Sequence, residues 1–315
     1  MKIAHISDIH IRNYRYHYEY EQVFEQLYAK LEELKPDLIV NTGDTAHTKL
    51  NLSPSYFDMA VRMFERLADI APYHIILGNH DLNLRNLSKI DAISPLVTAL
   101  DHPNIHFHKY SEEVDVGDGF CFHVLSIVDE ENWTLPPDMD KINIALFHGS
   151  VAGVKTSTGW TMTQGDISLD RLTEYDYALL GDVHKPNQEL DKEGRIRYAG
   201  SLVQQNFGES EEKGFLLWDI KDVDTFKVKH YALENPKPFV TINLTKKGKI
   251  PSKAQIKEGC RLRLVSNVNL PIDVIKRTID VAKTKYNPET VNYYSNVFGK
   301  KGKNDIINSV FKDDL

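Results

Sequence analysis

Five short apolar runs in this sequence are each followed, directly or after one glycine, by a residue that can bind a metal ion. The runs cover residues 2–7, 37–42, 74–77, 142–147 and 177–180. They are rich in β-branched and large apolar residues, which is the pattern of strands buried on both faces of a sheet. The segments at their ends are Asp8-Ile9-His10, Gly43-Asp44, Gly78-Asn79-His80-Asp81, His148-Gly149 and Gly181-Asp182-Val183-His184. This layout predicts an α/β fold.

The strand ends predict one shared site, although the five segments lie far apart in the sequence. In open α/β sheets, ligands bind in the crevice outside the carboxyl ends of the strands. Aspartate, asparagine and histidine supply oxygen and nitrogen ligands for divalent cations, and pairs of such cations catalyse displacement at phosphorus. The layout therefore indicates a two-metal phosphoesterase.

The composition is that of an ordinary globular protein. The chain has 315 residues, 41% hydrophobic and 26% charged, which is enough for a full core and a second small domain. No apolar stretch approaches the ~20 residues that span a bilayer, and the N-terminus enters a strand directly, so we expect a cytoplasmic protein without a membrane partner. Cys121 and Cys260 are expected to be reduced thiols, which leaves redox chemistry without support.

The net charge of −7 is distributed unevenly along the chain. Residues 236–303 contain 15 Lys and Arg against 4 Asp and Glu, whereas residues 1–235 contain 22 against 38. A basic module beside an acidic one favours a polyanionic substrate, because phosphate neutralisation dominates nucleic-acid affinity. A lysine-rich surface kept for solubility is the alternative, and neither interpretation identifies DNA by itself.

Helical periodicity and proline positions place the main helices. Apolar spacing predicts a helix over 20–34, and Ser53-Pro54 is typical of an N-cap followed by a first-turn proline. This second helix is expected to carry one apolar face made of Phe57, Val61, Phe64 and Leu67. In the basic module, a strand is predicted over 260–265. A helix is predicted after Pro271, and the side chains expected to face the core are Ile272, Ile275, Ile279 and Ala282.

The first two ligand segments have chemistry suited to binding cations. Asp8 and His10 lie two residues apart at a strand end and would point the same way on an extended backbone. Gly43 allows a sharp turn, after which the Asp44 carboxylate can bridge two cations. Each segment alone is weak evidence.

The third segment adds a candidate general acid to these metal ligands. Asn79 offers a neutral carbonyl oxygen, and His80, backed by the Asp81 carboxylate, can be held protonated to donate to a leaving oxygen. A hydrogen-bonded turn would explain any one of the five segments. Five of them in this order and spacing argue against that explanation.

Other histidines and tyrosines are not expected to bind metal ions. His123 is expected to be a core histidine with a backbone partner. One exposed strand face, rather than a third metal site, is expected for His102, His106 and His108. The tyrosines after the first ligand segment could stack on bases or pack their loop on its own helix, and these are Tyr14, Tyr16, Tyr18 and Tyr20.

Together with several further motifs, these segments resemble the calcineurin-like metallophosphoesterase superfamily. Within it they are most similar to the SbcD nuclease branch, which includes the eukaryotic meiotic-recombination nuclease. The likeness covers about residues 1–220. It rests on Met1-Lys2-Ile3-Ala4-His5-Ile6-Ser7-Asp8-Ile9-His10, Gly43-Asp44-Thr45-Ala46-His47, Tyr198-Ala199-Gly200-Ser201, Asn206-Phe207-Gly208-Glu209 and Lys213-Gly214-Phe215.

The resemblance implies a fold and a domain organisation. The fold is α/β (α+β), with two facing mixed β-sheets flanked by helices in a four-layer sandwich, and a small αβ cap domain. Residues 1–235 would form the nuclease domain and residues 236–298 a basic DNA-contacting cap. Residues 299–315 would be a short tail, in which a segment that binds an ATPase partner could begin.

The resemblance also implies two metal ions and their ligands. One ion would be bound by Asp8, His10, Asp44 and His184, and the other by Asp44, Asn79, His148 and Asp182. His80, steadied by Asp81, would assist transfer to the scissile phosphate, and His47 would help to position the strand. The ions implied are two Mn²⁺, with Mg²⁺ as the alternative, that generate a hydroxide for in-line attack.

Asp182 departs from the family pattern, which has Gly-His-x-His where this chain has Gly181-Asp182-Val183-His184. Aspartate is a hard ligand, but its side chain is shorter and adds a negative charge. The alternative is that Asp182 does not reach the metal and that the second site is weak.

The implied function is a manganese-dependent DNA endo/exonuclease subunit of a double-strand-break processing and recombination complex. Its expected partners are double-stranded DNA and DNA ends, an SbcC-type ABC ATPase, and a second copy in a homodimer. Such a chain would be a compact version like those of bacteriophages, acting in the host cytoplasm, or a chain cut before the partner-binding helices. The alternatives are a phosphoesterase acting on nucleotides or phosphoproteins, and a DNA-tethering scaffold whose second metal site has decayed.

Overall fold

The chain separates into two structural units between Asn235 and Pro236. The computed structural model of the protein describes residues 1–49, 51–136, 140–153 and 161–297. The division falls where the sequence changes from acidic to basic. The predicted tail over 299–315 lies outside the described residues.

Strands and α-helices alternate over the first 108 residues, and strands predominate in the rest of the first unit. The strands are β1 (Lys2–Ile6), β2 (Leu38–Asn41), β3 (Tyr73–Ile76), β4 (Ile105–His108), β5 (Glu112–Gly117), β6 (Phe120–Leu125), β7 (Ile142–His148), β8 (Tyr177–Gly181), β9 (Gln188–Glu189), β10 (Ile196–Tyr198), β11 (Lys213–Ile220), β12 (Phe226–Leu233), β13 (Phe239–Asn243), β14 (Arg261–Ser266) and β15 (Thr290–Ser295). The helices are α1 (His17–Leu34), α2 (Pro54–Ile70), α3 (Ser94–Leu100), α4 (Leu169–Leu172) and α5 (Ile272–Tyr286). Within the described part of the chain, no helix combines the length and the apolar character needed to cross a bilayer.

The first unit contains two six-stranded mixed sheets. The strand order of the first sheet is β12-β11-β1-β2-β3-β4, and that of the second is β5-β6-β7-β8-β10-β9. Strands β1 to β4 are parallel, as are β6, β7, β8 and β10, while antiparallel strands lie at the sheet edges. All five strands that were predicted to carry ligands are therefore parallel members of a sheet.

The two sheets face each other across a shared apolar core. This core combines Ile3 and Val40 from the first sheet with Phe122, Ile144 and Leu179 from the second. A second core lies between the first sheet and helices α1 and α2, and a third covers the other face of the second sheet. The predicted architecture of two facing mixed sheets flanked by helices is confirmed.

Helix α2 begins as its sequence predicts and packs its predicted apolar face on the core. The Ser53 hydroxyl accepts a hydrogen bond from the Tyr56 amide at 3.2 Å, as an N-cap does. Phe57 and Val61 are half-buried and pack against the same core as the buried Phe64 and Leu67, so the predicted apolar face is confirmed. The residues that fill the core beside Phe64 and Leu67 are Tyr56, Met59, Ala60, Met63 and Ala68.

Four histidine predictions need correction or completion. His106 is exposed as predicted, but His108 is buried, and its Nε2 lies 3.0 Å from Nδ1 of His74. His102 lies outside β4, so the three residues do not share one exposed face. His123 is buried as predicted, but its partner is the Asn143 side chain rather than the backbone.

The second unit is a small αβ unit. Its parallel sheet has the order β13-β14-β15, and α5 packs on it through Ile275, Ile279 and Ala282. Ile272, predicted to point inward, is 62% exposed because it lies in the first turn of the helix. The role of this unit as a cap stays a prediction.

Candidate metal centre

The loops that follow β1, β2, β3, β7 and β8 meet at the carboxyl ends of the strands. The Asp8 amide donates to the Gly43 carbonyl at 3.0 Å, and the His10 amide donates to the Asp44 carbonyl at 2.9 Å. The Asp182 amide donates to both carboxylate oxygens of Asp8 at 3.2 Å, across a separation of 174 residues in the sequence. Backbone hydrogen bonds therefore hold the predicted ligand segments together.

Four of the predicted ligands have backbone conformations that residues other than glycine rarely adopt. The angle φ is +50° at Asp8, +48° at His10, +57° at Asp44 and +101° at Asp182. Such conformations persist only where the surrounding structure holds them, and they cluster at functional sites. The prediction that Asp8 and His10 share an extended backbone is wrong. Strand β1 ends at Ile6, and the two side chains converge through left-handed residues.

The first donor cluster consists of Asp8, His10, Asp44 and His184. The Nε2 atoms of His10 and His184 lie 3.0 Å apart, and Asp8 Oδ1 lies 3.8 Å and 3.7 Å from them. Asp44 Oδ2 lies 3.4 Å from His10 Nε2. Metal bonds of about 2.1 Å place neighbouring ligand atoms about 3 Å apart, so this cluster has the dimensions of a cation site.

The second donor cluster consists of Asp44, Asn79, His148 and Asp182. His148 Nε2 lies 3.4 Å from Asp44 Oδ1 and 3.9 Å from Asp182 Oδ1. Asn79 Nδ2 donates to Asp182 Oδ1 at 3.0 Å, which leaves the Asn79 carbonyl oxygen available as a ligand. Asp44 therefore turns one carboxylate oxygen toward each cluster.

The hydrogen bonds of two histidines fit a bound cation. His148 Nδ1 donates to the Thr42 carbonyl at 2.7 Å, so in the neutral imidazole the lone pair lies on Nε2. That Nε2 is buried and has no hydrogen-bond partner among the described residues. His184 Nδ1 donates in the same way to Glu209 at 2.9 Å, and its Nε2 faces the first donor cluster. Such outer hydrogen bonds fix the tautomer of metal-binding histidines.

The electrostatics of the site favour a cation. Burial alone would lower the pKa of His148, but Asp44, Asp8 and Asp182 raise it well above its ordinary value. Burial lowers the pKa of His10 to about 3, so His10 is a neutral imidazole. The negative field that attracts a proton to His148 also attracts a divalent cation, and neutral imidazole is the form that binds metals.

His80 lies beside the first donor cluster. Its ring centroid is 4.8 Å from that of His10, and its amide donates to Asp44 Oδ1 at 2.7 Å. His80 Nδ1 donates to the main-chain carbonyl of His47 at 2.9 Å, while the two imidazole rings stack at 6.2 Å. The predicted His47 thus contacts His80 directly. One ring nitrogen of His80 lies within 4.8 Å of ligand atoms of His10 and Asp44.

Asp81 does not contact the His80 imidazole. One of its carboxylate oxygens accepts from the amides of Asp44 and Gly78 at 2.9 Å, and the other accepts from the Ala46 amide at 2.8 Å. The prediction that Asp81 backs His80 is therefore wrong. The His47 carbonyl occupies that position, and Asp81 joins the loops after β2 and β3.

A family model decides how this centre is classified. The model for calcineurin-like phosphoesterases matches residues 1–213, which is more than half of the chain and includes every residue of both donor clusters. This chain is a member of the calcineurin-like phosphoesterase family. The family uses divalent metal ions, and the donor clusters of this phosphoesterase could hold them.

Three curated relatives show how far the similarity extends. "Uncharacterized protein R555" of Acanthamoeba polyphaga mimivirus is 32% identical over 274 residues, which are 81% of this chain and 20% of R555. "Putative phosphoesterase 244L" of Invertebrate iridescent virus 6 is 28% identical over 233 residues, covering 70% and 77%. "DNA double-strand break repair protein Mre11" of Haloferax volcanii is 24% identical over 257 residues, covering 77% and 55%. The phosphoesterase chain thus spans about a fifth of R555 and about half of Mre11.

Glu209 and Lys213 support the phosphoesterase centre, and sequence reasoning assigned them no role. Lys213 Nζ lies 2.8 Å from Glu209 Oε2 and donates to the His184 carbonyl at 2.8 Å. Burial would raise the pKa of Glu209, but His184 and Lys213 lower it to about 2. Both residues belong to motifs that carry the family resemblance. Only the folded structure shows that they hold His184 in place.

Two glycines allow the ligand loops to approach closely. Gly43 has φ of +95°, and a Cβ atom there would lie 2.7 Å from both Gly78 N and His148 Nδ1. A Cβ atom at Gly78 would collide with the Asp44 carboxylate and amide. Side chains at these positions would displace the shared ligand of both donor clusters.

Proposed function

We propose that this phosphoesterase is a two-metal, manganese-dependent DNA nuclease. The observation that carries the proposal is the position of Asp44 between two histidines. Its Oδ2 lies 3.4 Å from His10 and its Oδ1 lies 3.4 Å from His148. One carboxylate that faces two complete donor clusters is the arrangement expected of a bridging ligand.

The ligand chemistry favours Mn²⁺, with Mg²⁺ as the alternative. The two clusters contain oxygen and imidazole donors without a thiolate, which suits these harder cations. When bound, a pair of divalent cations lowers the pKa of water and neutralises charge on the phosphoryl oxygens. The clusters contain three carboxylates, so two cations would leave a net charge of +1 in the centre.

The residues around the cations would handle the proton of the reaction. With Nδ1 donating to the His47 carbonyl, protonated His80 has one remaining N–H, on Nε2, that can donate to a leaving oxygen. His80 is half-buried, so part of the residue is accessible from solvent. Asp44 accepts a hydrogen bond from the His80 amide, which fixes the distance between His80 and both clusters.

DNA is the substrate that the charge distribution favours. Residues 236–303 carry a net charge of +11, and basic surfaces bind nucleic acid by releasing counterions. The similarity to a protein named as a DNA double-strand break repair protein supports the same substrate. We propose that the basic unit supplies affinity and that the first unit supplies chemistry.

The scaffold alternative requires the second donor cluster to be incomplete. Asp182 instead lies 3.9 Å from His148 and accepts a hydrogen bond from Asn79. Both contacts favour a ligand role for Asp182, in place of the family's histidine. A phosphoesterase that acts on nucleotides or phosphoproteins is the second candidate, supported by the printed name of the 244L relative.

The proposed function includes binding partners. We propose a homodimer that works with an SbcC-type ABC ATPase on double-stranded DNA ends, in the cytoplasm of the cell or of a host. Light scattering of the purified chain tests the dimer. Copurification with a candidate ATPase encoded in the same genome, and stimulation of cleavage by ATP, test the complex.

One experiment separates the three functions. The metal-free protein is dialysed against Mn²⁺, its metal content per chain is measured, and cleavage of linear duplex DNA, a nucleotide and a phosphopeptide is compared. A nuclease binds two ions and cleaves DNA best. Two ions with activity only on the small substrates would identify the phosphoesterase alternative. A single ion without cleavage would identify the scaffold.

A further inference from the structure

A second group of metal-ligand side chains lies on the other face of the second sheet, away from the centre described above. Phe120, Phe122 and Val124 of β6 point into the core between the sheets, so Cys121 and His123 share the opposite face. Glu113 of β5 is the cross-strand neighbour of His123. One potential ligand atom from each of Glu113, Cys121 and His123 lies within 4.8 Å of the others.

The hydrogen bonds of His123 leave one nitrogen in the form that binds metals. Asn143 Nδ2 donates to the Lys141 carbonyl at 2.9 Å, so its Oδ1 is the acceptor for His123 Nε2, which lies 2.8 Å away. In the neutral imidazole, the lone pair of His123 therefore lies on Nδ1. His123 is 1% exposed, and its Nδ1 has no hydrogen-bond partner among the described residues. A buried polar atom without a partner is unfavourable unless a donor or a cation binds it.

The sulfur and carboxylate positions suit a small tetrahedral ion. Cys121 Sγ lies 3.9 Å from Glu113 Oε1. Zinc bonds of 2.0–2.3 Å at the tetrahedral angle place ligand atoms about 3.6 Å apart, which is close to this separation. The third ligand atom, from His123, lies within 4.8 Å of both. Glu113 is exposed, which gives it freedom to rotate and gives an ion a path from solvent.

A thiolate distinguishes these three residues from the phosphoesterase centre. Thiolate and imidazole ligands favour zinc over manganese. Burial and the Glu113 carboxylate raise the pKa of the Cys121 thiol, so the thiol is protonated until a cation displaces the proton. Asp115, the other acidic residue beside Cys121, is bound to Lys141 at 3.0 Å and is not offered as a ligand.

We propose that Glu113, Cys121 and His123 form a zinc site with water as its fourth ligand. The ion would fasten the edge strand β5 to β6. Asn143 would orient His123, as outer hydrogen bonds do in other zinc sites. This site would be independent of the manganese pair.

Cobalt titration of the full chain tests the proposal. Metal-free protein is titrated with Co²⁺, and the thiolate-to-cobalt charge-transfer band in the near ultraviolet is recorded. The band is expected in the wild type and in Cys260→Ser, which removes the other buried cysteine. It is expected to be absent in Cys121→Ser. Glu113→Gln should bind Co²⁺ about tenfold or more weakly, because a ligand matters at least as much as an outer contact.

Two results would overturn the site. One is a wild type without the band, and the other is a band that persists in Cys121→Ser. If Cys121→Ser does not fold, the exposed Glu113→Gln carries the test, and an unchanged cobalt affinity in that variant contradicts the proposal. Glu113→Gln should also keep its manganese-dependent hydrolysis, which separates failure of this site from failure of the proposed function.

Discussion

The two donor clusters share Asp44 but are held by the rest of the protein to different degrees. In the first cluster, His184 is bound to Glu209, which is bound in turn to buried Lys213. In the second cluster, the Asp182 carboxylate accepts a hydrogen bond from the neutral amide of Asn79. Outer contacts of the first kind strengthen metal ligands. We therefore expect the first cluster to bind its ion more tightly.

The pKa of Asp182 also indicates weaker binding of the ion in the second cluster. Burial, together with Asp8 and Asp44, raises the pKa of Asp182. A proton competes more strongly for a carboxylate whose pKa is raised, so binding of the cation at Asp182 should weaken sooner as the pH falls. We therefore expect the two ions to bind one after the other. A substitution in one cluster should change the binding of one ion only, except at Asp44, which both clusters share.

The largest effect is expected at the residue that both clusters share. Asp44→Ala should abolish hydrolysis and greatly weaken binding of both Mn²⁺ ions, because each ion loses a ligand. Equilibrium dialysis and DNA cleavage measure both effects. Asp58→Ala, at an exposed ion pair on α2, is the matched control and should change neither. Binding of two ions by Asp44→Ala would show that the clusters do not share this ligand.

His80→Ala should separate chemistry from metal binding. The rate should fall by ~10²–10⁴-fold, as is typical when a general acid is lost, while both ions stay bound. Single-turnover cleavage at saturating Mn²⁺ gives the rate, and dialysis gives the metal content. An inactive variant that also binds no manganese would make His80 a structural residue.

Substitutions at Asp182 should affect the second ion alone. Asp182→Ala should lower the rate by ~10–100-fold at limiting Mn²⁺ while the first ion is retained. Asp182→His removes a negative charge from the centre, so it should keep activity and lower the apparent pKa of the alkaline limb of the pH–rate profile. Superimposable profiles for the wild type and both variants would show that Asp182 is not a ligand.

Glu209→Gln should weaken binding of the first ion by about tenfold. This is the lower end of the loss in metal affinity that follows when an outer contact of a ligand is removed. The glutamine keeps a hydrogen-bond acceptor for His184 but removes the charge that also holds Lys213. Calorimetric titration with one equivalent of Mn²⁺ measures the change. An effect confined to the second ion would reverse the comparison between the clusters.

The smallest effect is expected in the acid stability of the metal-free protein. The folded pKa of Glu209 is about 2, below its ordinary 4.5, so its stabilising contribution is present above pH 4.5 and is lost as pH falls toward 2. The difference in free energy of unfolding between the wild type and Glu209→Gln should therefore shrink over that range. Urea unfolding in chelator at several pH values measures it. A difference that grows toward low pH would contradict the pairing with His184.

The sequence predicts the strands and the convergence of their ends because both follow from local pattern. Runs of buried residues identify parallel strands, and parallel strands of one sheet end at the same edge. Asp8, Asp44, Asn79 and His148 could therefore be placed together from the sequence, although their role as ligands is still a prediction.

The parts that failed depend on contacts between distant segments. Asp81 binds amides of two loops, and Glu209 reaches His184 across 25 residues, so neither partner can be read from neighbouring residues. The left-handed backbone at Asp8 and His10 is set by hydrogen bonds to the loop after β2.

Electron paramagnetic resonance of the manganese-loaded protein tests the central claim, that Asp44 joins two ions, most directly. The first equivalent of Mn²⁺ should give the spectrum of an isolated ion. The second equivalent should convert it into the spectrum of an exchange-coupled pair, because ions that share a carboxylate lie about 3.5–4 Å apart. Asp182→Ala should show the isolated spectrum through the first equivalent and require excess Mn²⁺ for the coupled one. Two equivalents that give only isolated ions in the wild type, or saturation at one ion, would contradict the account.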